Sequence, residues 1–323
     1  MAERPDVSVV VATFERAGRL ERLLGALRAQ TLAPDRFEVI VVDDASADGT
    51  GELLRGEREA GGLDLRPIER TANGGWAAAR EDGRRAARAD LVAFTDDDCL
   101  PEPSWLEAGL AACAANPGAI VQGRTLRDEE EWARLSAAGR AFARTLEVPG
   151  PDPHFQTCNV FYPRELIERA GGFDVARFSR VPGEDADLAW RAIEAGAATA
   201  FAPGAVVRHA VEPVGPLGKL RAAARADLRV YARHRGLREE YFVRRLFWKG
   251  SHYFLARALA GALLPRRLLP VRAWLAVPYA VHLLERGRVE GGGPLLAPYY
   301  LAHDLIELAA AARSALRYRE PML

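Results

Sequence analysis

The sequence predicts an α/β fold, a mostly parallel central sheet flanked by helices, followed by a region made of helices alone. Three observations predict it. Short apolar runs alternate with amphipathic stretches through the first hundred residues, the pattern of parallel strands joined by crossover helices. Two of those runs, 37–44 and 91–98, end in carboxylates. From about residue 217 the strand pattern stops, and helical stretches punctuated by Pro265, Pro270, Pro278, Pro294 and Pro298 take over.

Along the chain, VSVVVAT (7–13) is a buried strand, and residues 17–30 form a helix with Leu20, Leu23, Leu24 and Leu27 on one face. FEVIVVDD (37–44) is a second strand, after which Ser46 and Asp48 offer caps for a helix over 49–60. LDLRPIE (63–69) is a weaker strand, and NGGWAAAREDGRRAAR (73–88) turns at glycine and continues as a helix. LVAFTDDD (91–98) is a third strong strand. A strand at 119–122 precedes an acidic, irregular stretch around 128–131. Residues 156–174 read as a strand, a helix with Pro163 in its first turn, and a Gly-Gly stop. Residues 182–196 form a helix with an acidic start, and 199–209 two short strands around a turn. The expected division is an α/β domain over 1–213 and a helical region over 214–323.

The 44 basic and 44 acidic residues cancel, so the whole chain has no bulk attraction to nucleic acid, and no nucleic-acid partner is expected. The halves differ: 1–213 hold 25 basic and 36 acidic side chains, while 214–323 hold 19 and 8, giving −11 and then +11. Cys99, Cys113 and Cys158 form no CxxC pair and read as reduced thiols of a cytoplasmic protein. The first residues lack the basic-then-apolar build of a signal peptide. In the C-terminal region Lys249, Arg257, Arg266, Arg267, Arg272 and Glu285 cut the apolar runs before any reaches the roughly 18 residues a bilayer requires. Stretches such as YFVRRLFWKGSHYFLARAL fit two readings: helices lying on an anionic membrane at the inner face of the plasma membrane, or helices packed against the first domain or a second subunit.

In an open parallel sheet ligands gather at the carboxyl ends of the strands, which makes Thr13, Asp43, Asp44 and Asp96 to Asp98 neighbours. The three consecutive aspartates offer hard oxygen ligands to Mg²⁺ or Mn²⁺, with Asp98 the direct ligand and Asp96 beside it; the competing reading is a solvated acidic turn. Glu184 and Asp185 open a helix, where they either provide a general base or complement the helix dipole. His209 follows an apolar strand and can complete a divalent site, or is an ordinary core or surface histidine. Asn73, Gly74 and Gly75, ahead of Arg80, can bring backbone and guanidinium toward phosphate, or form a plain turn beside a surface arginine. The absence of GxGxxG after the first strand and of GxxxxGK[ST] disfavours a dinucleotide oxidoreductase and a P-loop enzyme.

In order and spacing, VSVVVATFER, VIVVDDASADGT, NGGWAAAR, LVAFTDDDC, GGFD and GEDADLAWR resemble the motifs of family-two glycosyltransferases over roughly residues 6–210. That resemblance implies a GT-A fold, which is Rossmann-like, and inverting transfer from a nucleotide-sugar donor. It places Ala12, Thr13 and Asp43 at the nucleobase, where a carboxylate suits the N–H of uracil or thymine and so favours UDP or dTDP. It places Arg80 on the nucleotide, Asp96 and Asp97 at the nucleotide sugar and the DxD-like pair Asp96 and Asp98 at the donor's metal, with His209 as a further ligand, as in some relatives. Asp185 is the implied base, with Glu184 beside it. Glu15 stands where the family often has Asn, which loosens the nucleotide assignment. After Asp185 the chain reads ADLAWRAIEAG rather than the Q-x-x-R-W of processive synthases, so a single addition to a glycan or lipid-linked acceptor is expected, in cell-surface glycan or glycolipid assembly. The rivals are a sugar nucleotidyltransferase, of whose Gly-rich basic loop ATFERAGRLERL is a poor version, and a silent membrane-bound scaffold. The Ala- and Arg-rich composition, with Lys219 and Lys249 the only lysines, points to a GC-rich bacterial genome.

Overall fold

A computed structural model describes residues 4–179, 181–290 and 293–323. They form two compact units: the chain up to Asp128 with Thr145–Ala210, and Glu129–Arg144 with Val211–Leu323. The second unit thus includes a segment, 129–144, that the division at residue 213 had assigned to the first.

The strands in chain order are β1 Val7–Thr13, β2 Phe37–Asp43, β3 Asp64–Glu69, β4 Leu91–Phe94, β5 Cys99–Pro101, β6 Ile120–Arg127, β7 Ala143–Arg144, β8 Val160–Pro163, β9 Thr199–His209 and β10 Glu212–Pro213. The first unit holds an eight-stranded sheet in the order β3-β2-β1-β4-β8-β6-β9-β5, parallel except for β8 and β5. Its helices are α1 Ala17–Arg28, α2 Thr50–Ala60, α3 Trp76–Ala86 and α4 Trp105–Ala115, then, after α5 Glu129–Arg134 and α6 Ala137–Ala141 of the second unit, α7 Arg164–Arg169, α8 Val175–Phe178 and α9 Glu184–Glu194. Alternation along the strands builds a core on each face. Val7, Val9, Val11, Val39 and Val41 pack with Leu20, Leu23, Leu24 and Leu27 of α1. Val10, Ile40 and Val42 pack on the other face with Ala79 of α3 and Leu188 and Ala189 of α9. Helix α3 comes close enough that a Cβ at Gly83 would lie 2.5 Å from Val10 Cγ1.

Four expectations change. The strand expected over 91–98 stops at Phe94, and the Cys99 N–H donates to the Asp96 carbonyl at 3.1 Å, closing a turn over the aspartates. A continued strand would have sent Asp97 to the opposite face from its neighbours. Residues 199–209 are one strand, and the expected turn is a register shift opposite Gly123 and Arg124. The acidic stretch is helical from Glu129, with three glutamates in the first turn of α5 matching its dipole. Pro163 caps α7 from outside rather than sitting in its first turn.

The second unit adds α10 Gly215–Ala224, α11 Arg229–Arg233, α12 Arg235–Tyr241, α13 Gly250–Ala262, α14 Leu269–Val289 and α15 Ala297–Tyr318, with β7 and β10 paired antiparallel. Partly buried ion pairs tie its helices together. Lys249 donates to both Glu307 oxygens at 2.7 and 2.9 Å, and Arg286 to Asp304 at 3.0 Å. No helix among the described residues is long and apolar enough to cross a membrane.

Candidate active site

The carboxyl ends of β1, β2 and β4 lie side by side, so the loops leaving them meet. After β1 the chain enters the left-handed region at Glu15 (φ 51°), and the Glu15 N–H donates to Ser46 Oγ at 2.8 Å. Asp43 is buried and accepts the Ser46 N–H at 3.0 Å, so it holds the loop that Glu15 rests on. Ala12 is half-buried one residue before the end of β1.

Asp44 accepts the N–H groups of Gly74 and Gly75 at 2.9 and 2.7 Å, with Arg70 Nε 2.8 Å away. The Gly74 amide expected to face phosphate is therefore engaged by protein, and Asn73 is exposed at the head of this turn. Gly75 (φ 84°) admits no side chain, because a Cβ there would lie 1.9 Å from the Ser179 carbonyl oxygen.

The turn after β4 sends its three carboxylates to different partners. Asp97 accepts from Thr13 Oγ1 at 2.8 Å and from Arg16 at 3.2 Å. Burial and the charge on Asp98 push Asp97 up to about 6, against the pull of Arg16. Asp98 meets Arg16 at 2.7 Å on one oxygen and faces His209 Nε2 at 3.7 Å with the other. Asp96 is bound by Arg80 Nη2 at 2.6 Å.

Arg80 is the centre of the arrangement. Its other terminal nitrogen binds Glu184, so one buried guanidinium joins the aspartate turn to the start of α9. Burial alone would lower its pKa, but Asp96, Glu184 and Asp185 raise it above the ordinary arginine value. Gly183 (φ 115°) turns the chain into α9, and the half-buried Asp185 accepts the N–H of Ala186 at 2.8 Å. Burial, with the charge on Asp185, pushes Glu184 up to about 7. Asp185 is raised as well, chiefly by burial, while Ala186 N–H, Arg80 and His154 pull it down.

Among the described residues, Asp98, Cys99 and His209 place one ligand atom each within 4.8 Å of one another, and Asp96 is not in this set. The donor chemistry fits a hard divalent cation on Asp98 and His209. The Nδ1–H of His209 donates to the Ala210 carbonyl at 2.9 Å, which leaves the Nε2 lone pair toward Asp98. A gap of 3.7 Å is too long for a hydrogen bond and suits two ligands sharing one ion. The Cys99 sulfur is a soft donor that suits a hard divalent cation poorly, and burial raises its thiol well above its ordinary pKa.

Two residues escaped the sequence reading. Arg16, the last residue of the first motif as quoted, pairs with two of the three aspartates. His154 lies in the loop 152–156, whose Asp152 accepts from His154 Nδ1 at 2.7 Å and from Gln156 at 2.8 Å. Trp190 of α9 donates to the Pro153 carbonyl at 2.7 Å, holding the loop over the helix that carries Asp185. The signal was the D-x-H spacing inside PDPHFQ, which a proline-rich loop disguised.

Comparison with known proteins places the chain in a family. The Glycosyl transferase family 2 profile matches residues 8–171. Glycosyltransferase AglE of Haloferax volcanii is 29% identical over 218 residues, covering 67% of this chain and 70% of that protein. Validoxylamine A glucosyltransferase of Streptomyces hygroscopicus subsp. limoneus is 33% identical over 58% of this chain, which spans 48% of that protein's length. Pre-mycofactocin glycosyltransferase of Mycobacterium tuberculosis is 32% identical over 63% of this chain, which spans 42% of that protein's length. The solved structure of mannosyltransferase PcManGT from Pyrobaculum calidifontis, in complex with GDP-Man and Mn²⁺, superposes with a TM-score of 0.65 at 25% identity, covering 95% of this chain and 88% of that one. TarS 1-349 of S. aureus in complex with UDP superposes at 0.54 and 18% identity, over 98% and 92% of the two chains, and speaks for the fold alone. The sheet is the GT-A sheet, and the chain belongs to glycosyl transferase family 2.

Proposed function

We propose that the protein transfers one sugar from a nucleoside-diphosphate sugar, UDP- or dTDP-linked, to a hydroxyl of a glycan or lipid-linked acceptor with inversion, in assembly of cell-surface glycan or glycolipid. The observation that carries this reading is the Arg80 bridge, which brings the aspartate turn and the start of α9 into one site. Asp98 and His209 would hold Mn²⁺ or Mg²⁺, whose charge stabilises a departing diphosphate. Thr13, through Asp97, ties the nucleobase end of the site to that turn, with Ala12, Glu15 and Asp43 forming the adjoining loop.

Asp185 takes the acceptor's hydroxyl proton as the oxygen bonds to the anomeric carbon from the face opposite the leaving group. The carbon–oxygen bond to the diphosphate breaks and its electron pair stays on the diphosphate oxygen. Glu184 is held by Arg80 and orients the start of α9, leaving Asp185 as the base. Asp44 fixes the turn at Asn73, Gly74 and Gly75 that opens α3, the helix carrying Arg80.

Calorimetric titration with UDP, dTDP and GDP, each with and without Mn²⁺, tests the donor assignment. The expected result is metal-dependent binding of a uridine or thymidine diphosphate, lost in Asp98→Ala. Preference for GDP overturns the nucleotide assignment, and binding that ignores metal overturns the role of Asp98. In Asp185→Asn, transfer should fall by about two to four orders of magnitude with donor binding kept. Transfer at the wild-type rate would remove Asp185 as base.

A further inference from the structure

Helix α14 wears its apolar residues on the outside. Trp274, Val277, Val281 and Leu284 recur every three or four residues, so they share one face, and all four are exposed. Tyr279, pointing the other way, is buried. Apolar exposure extends to both ends of the connection from α13, with Leu263, just past α13, 88% exposed and Leu269, the first residue of α14, 66%. Trp274 is itself 66% exposed and is covered from one side only by the Arg257 guanidinium, 4.8 Å from its ring. Such a run of large apolar side chains facing water is what a folded protein ordinarily buries.

The charge around it has one sign. Between Glu240 and Glu285 the chain carries seven arginines and lysines and no carboxylate. Lys249 is used inside the unit on Glu307, but Arg266, Arg267 and Arg272, at the turn between α13 and α14, meet no carboxylate among the described residues. An apolar face flanked by unneutralised arginines matches an anionic lipid surface, where alkyl and indole groups enter the acyl boundary and guanidiniums meet phosphate. A second copy of this chain would bring the same arginines against one another, and a neutral hydrophobic partner would leave them without counter-charge.

We infer that the α13–α14 hairpin is a membrane-docking surface, with Leu263, Leu269 and Trp274 inserting at the interface and Arg266, Arg267 and Arg272 selecting anionic lipid. The inference stands on the second unit alone and does not depend on the donor site.

The test is flotation of the full chain with phosphatidylcholine vesicles and with vesicles containing about a quarter phosphatidylglycerol, at low and at high salt. The expected result is binding to the anionic vesicles that weakens with salt. The double variant Arg266→Glu/Arg267→Glu should weaken it at least about tenfold, since each cation near such a surface counts for roughly a fivefold change. Leu269→Glu/Trp274→Glu should abolish it, and Trp274→Phe should remove the lipid-induced blue shift of tryptophan emission. Circular dichroism melts and nucleotide titration of the same variants show whether the fold and the donor site are intact, so failure here is separable from failure of the donor assignment. No flotation with anionic vesicles overturns the inference. So does flotation indifferent to lipid charge and to the arginines, or a concentration-dependent dimer that Trp274→Glu dissolves in the absence of lipid.

Discussion

His154 has a measurable effect to exert even though it stands outside the recognised motifs. The base must be ionised to accept a proton, and burial raises both Asp185 and Glu184, the latter to about 7. Activity should therefore fall as pH drops through the raised pKa of Asp185, with an acid limb above the ordinary aspartate value of 3.8. The charge of His154 pulls Asp185 down, so His154→Ala should move the limb to higher pH, read as kcat against pH. A limb that stays where it was would mean that His154 only shapes the loop. At this scale the positions of His209 and Asp185 were legible because one ends a strand and the other lies in the first turn of a helix that periodicity had located, and Asp98 because it follows such a strand. Arg16 and His154 were not, because an arginine at the end of a motif and a histidine in a loop acquire partners only through folding.

Among the elements, the segments with strong alternation were legible: β1, β2 and the leucine face of α1 lie where the pattern put them. Their ends were less so. Nothing in the apolar pattern of LVAFTDDD marks where the strand yields to a turn, since that point is set by Arg16 and Arg80 arriving from elsewhere. The turn before α3 shows how tightly such arrivals constrain an element. Gly75→Ala would push a Cβ into the Ser179 carbonyl and place alanine at φ 84°. The variant should lose about 2 kcal/mol or more of stability by denaturant titration, with weakened donor binding, because the turn positions the start of α3 and hence Arg80. Wild-type stability would show that Ser179 moves freely.

For the molecule as a whole, the −11 and +11 halves were visible in composition, but composition did not reveal which charges were spent internally. Burial would raise Glu307, yet His252 and Lys249 hold it down at about 2. A depressed carboxylate adds stability that is present above its ordinary value of 4.5 and is lost as pH falls through the folded value. The melting temperature should therefore decline between about pH 4.5 and 2, and Glu307→Gln should lower it at pH 7 while flattening that decline. An unchanged slope would assign acid sensitivity to other groups.

The Arg80 bridge also bears on how such a chain can change over generations. With one buried cation shared by Asp96 and Glu184, replacing Arg80 leaves two neighbouring carboxylates without their counter-charge, whereas replacing either carboxylate leaves Arg80 paired with the other. Change is therefore ordered: in a saturation library selected for folded protein, a neutral residue at position 80 should be tolerated chiefly together with neutral residues at 96 or 184, while single amide replacements of either carboxylate should survive with Arg80 intact.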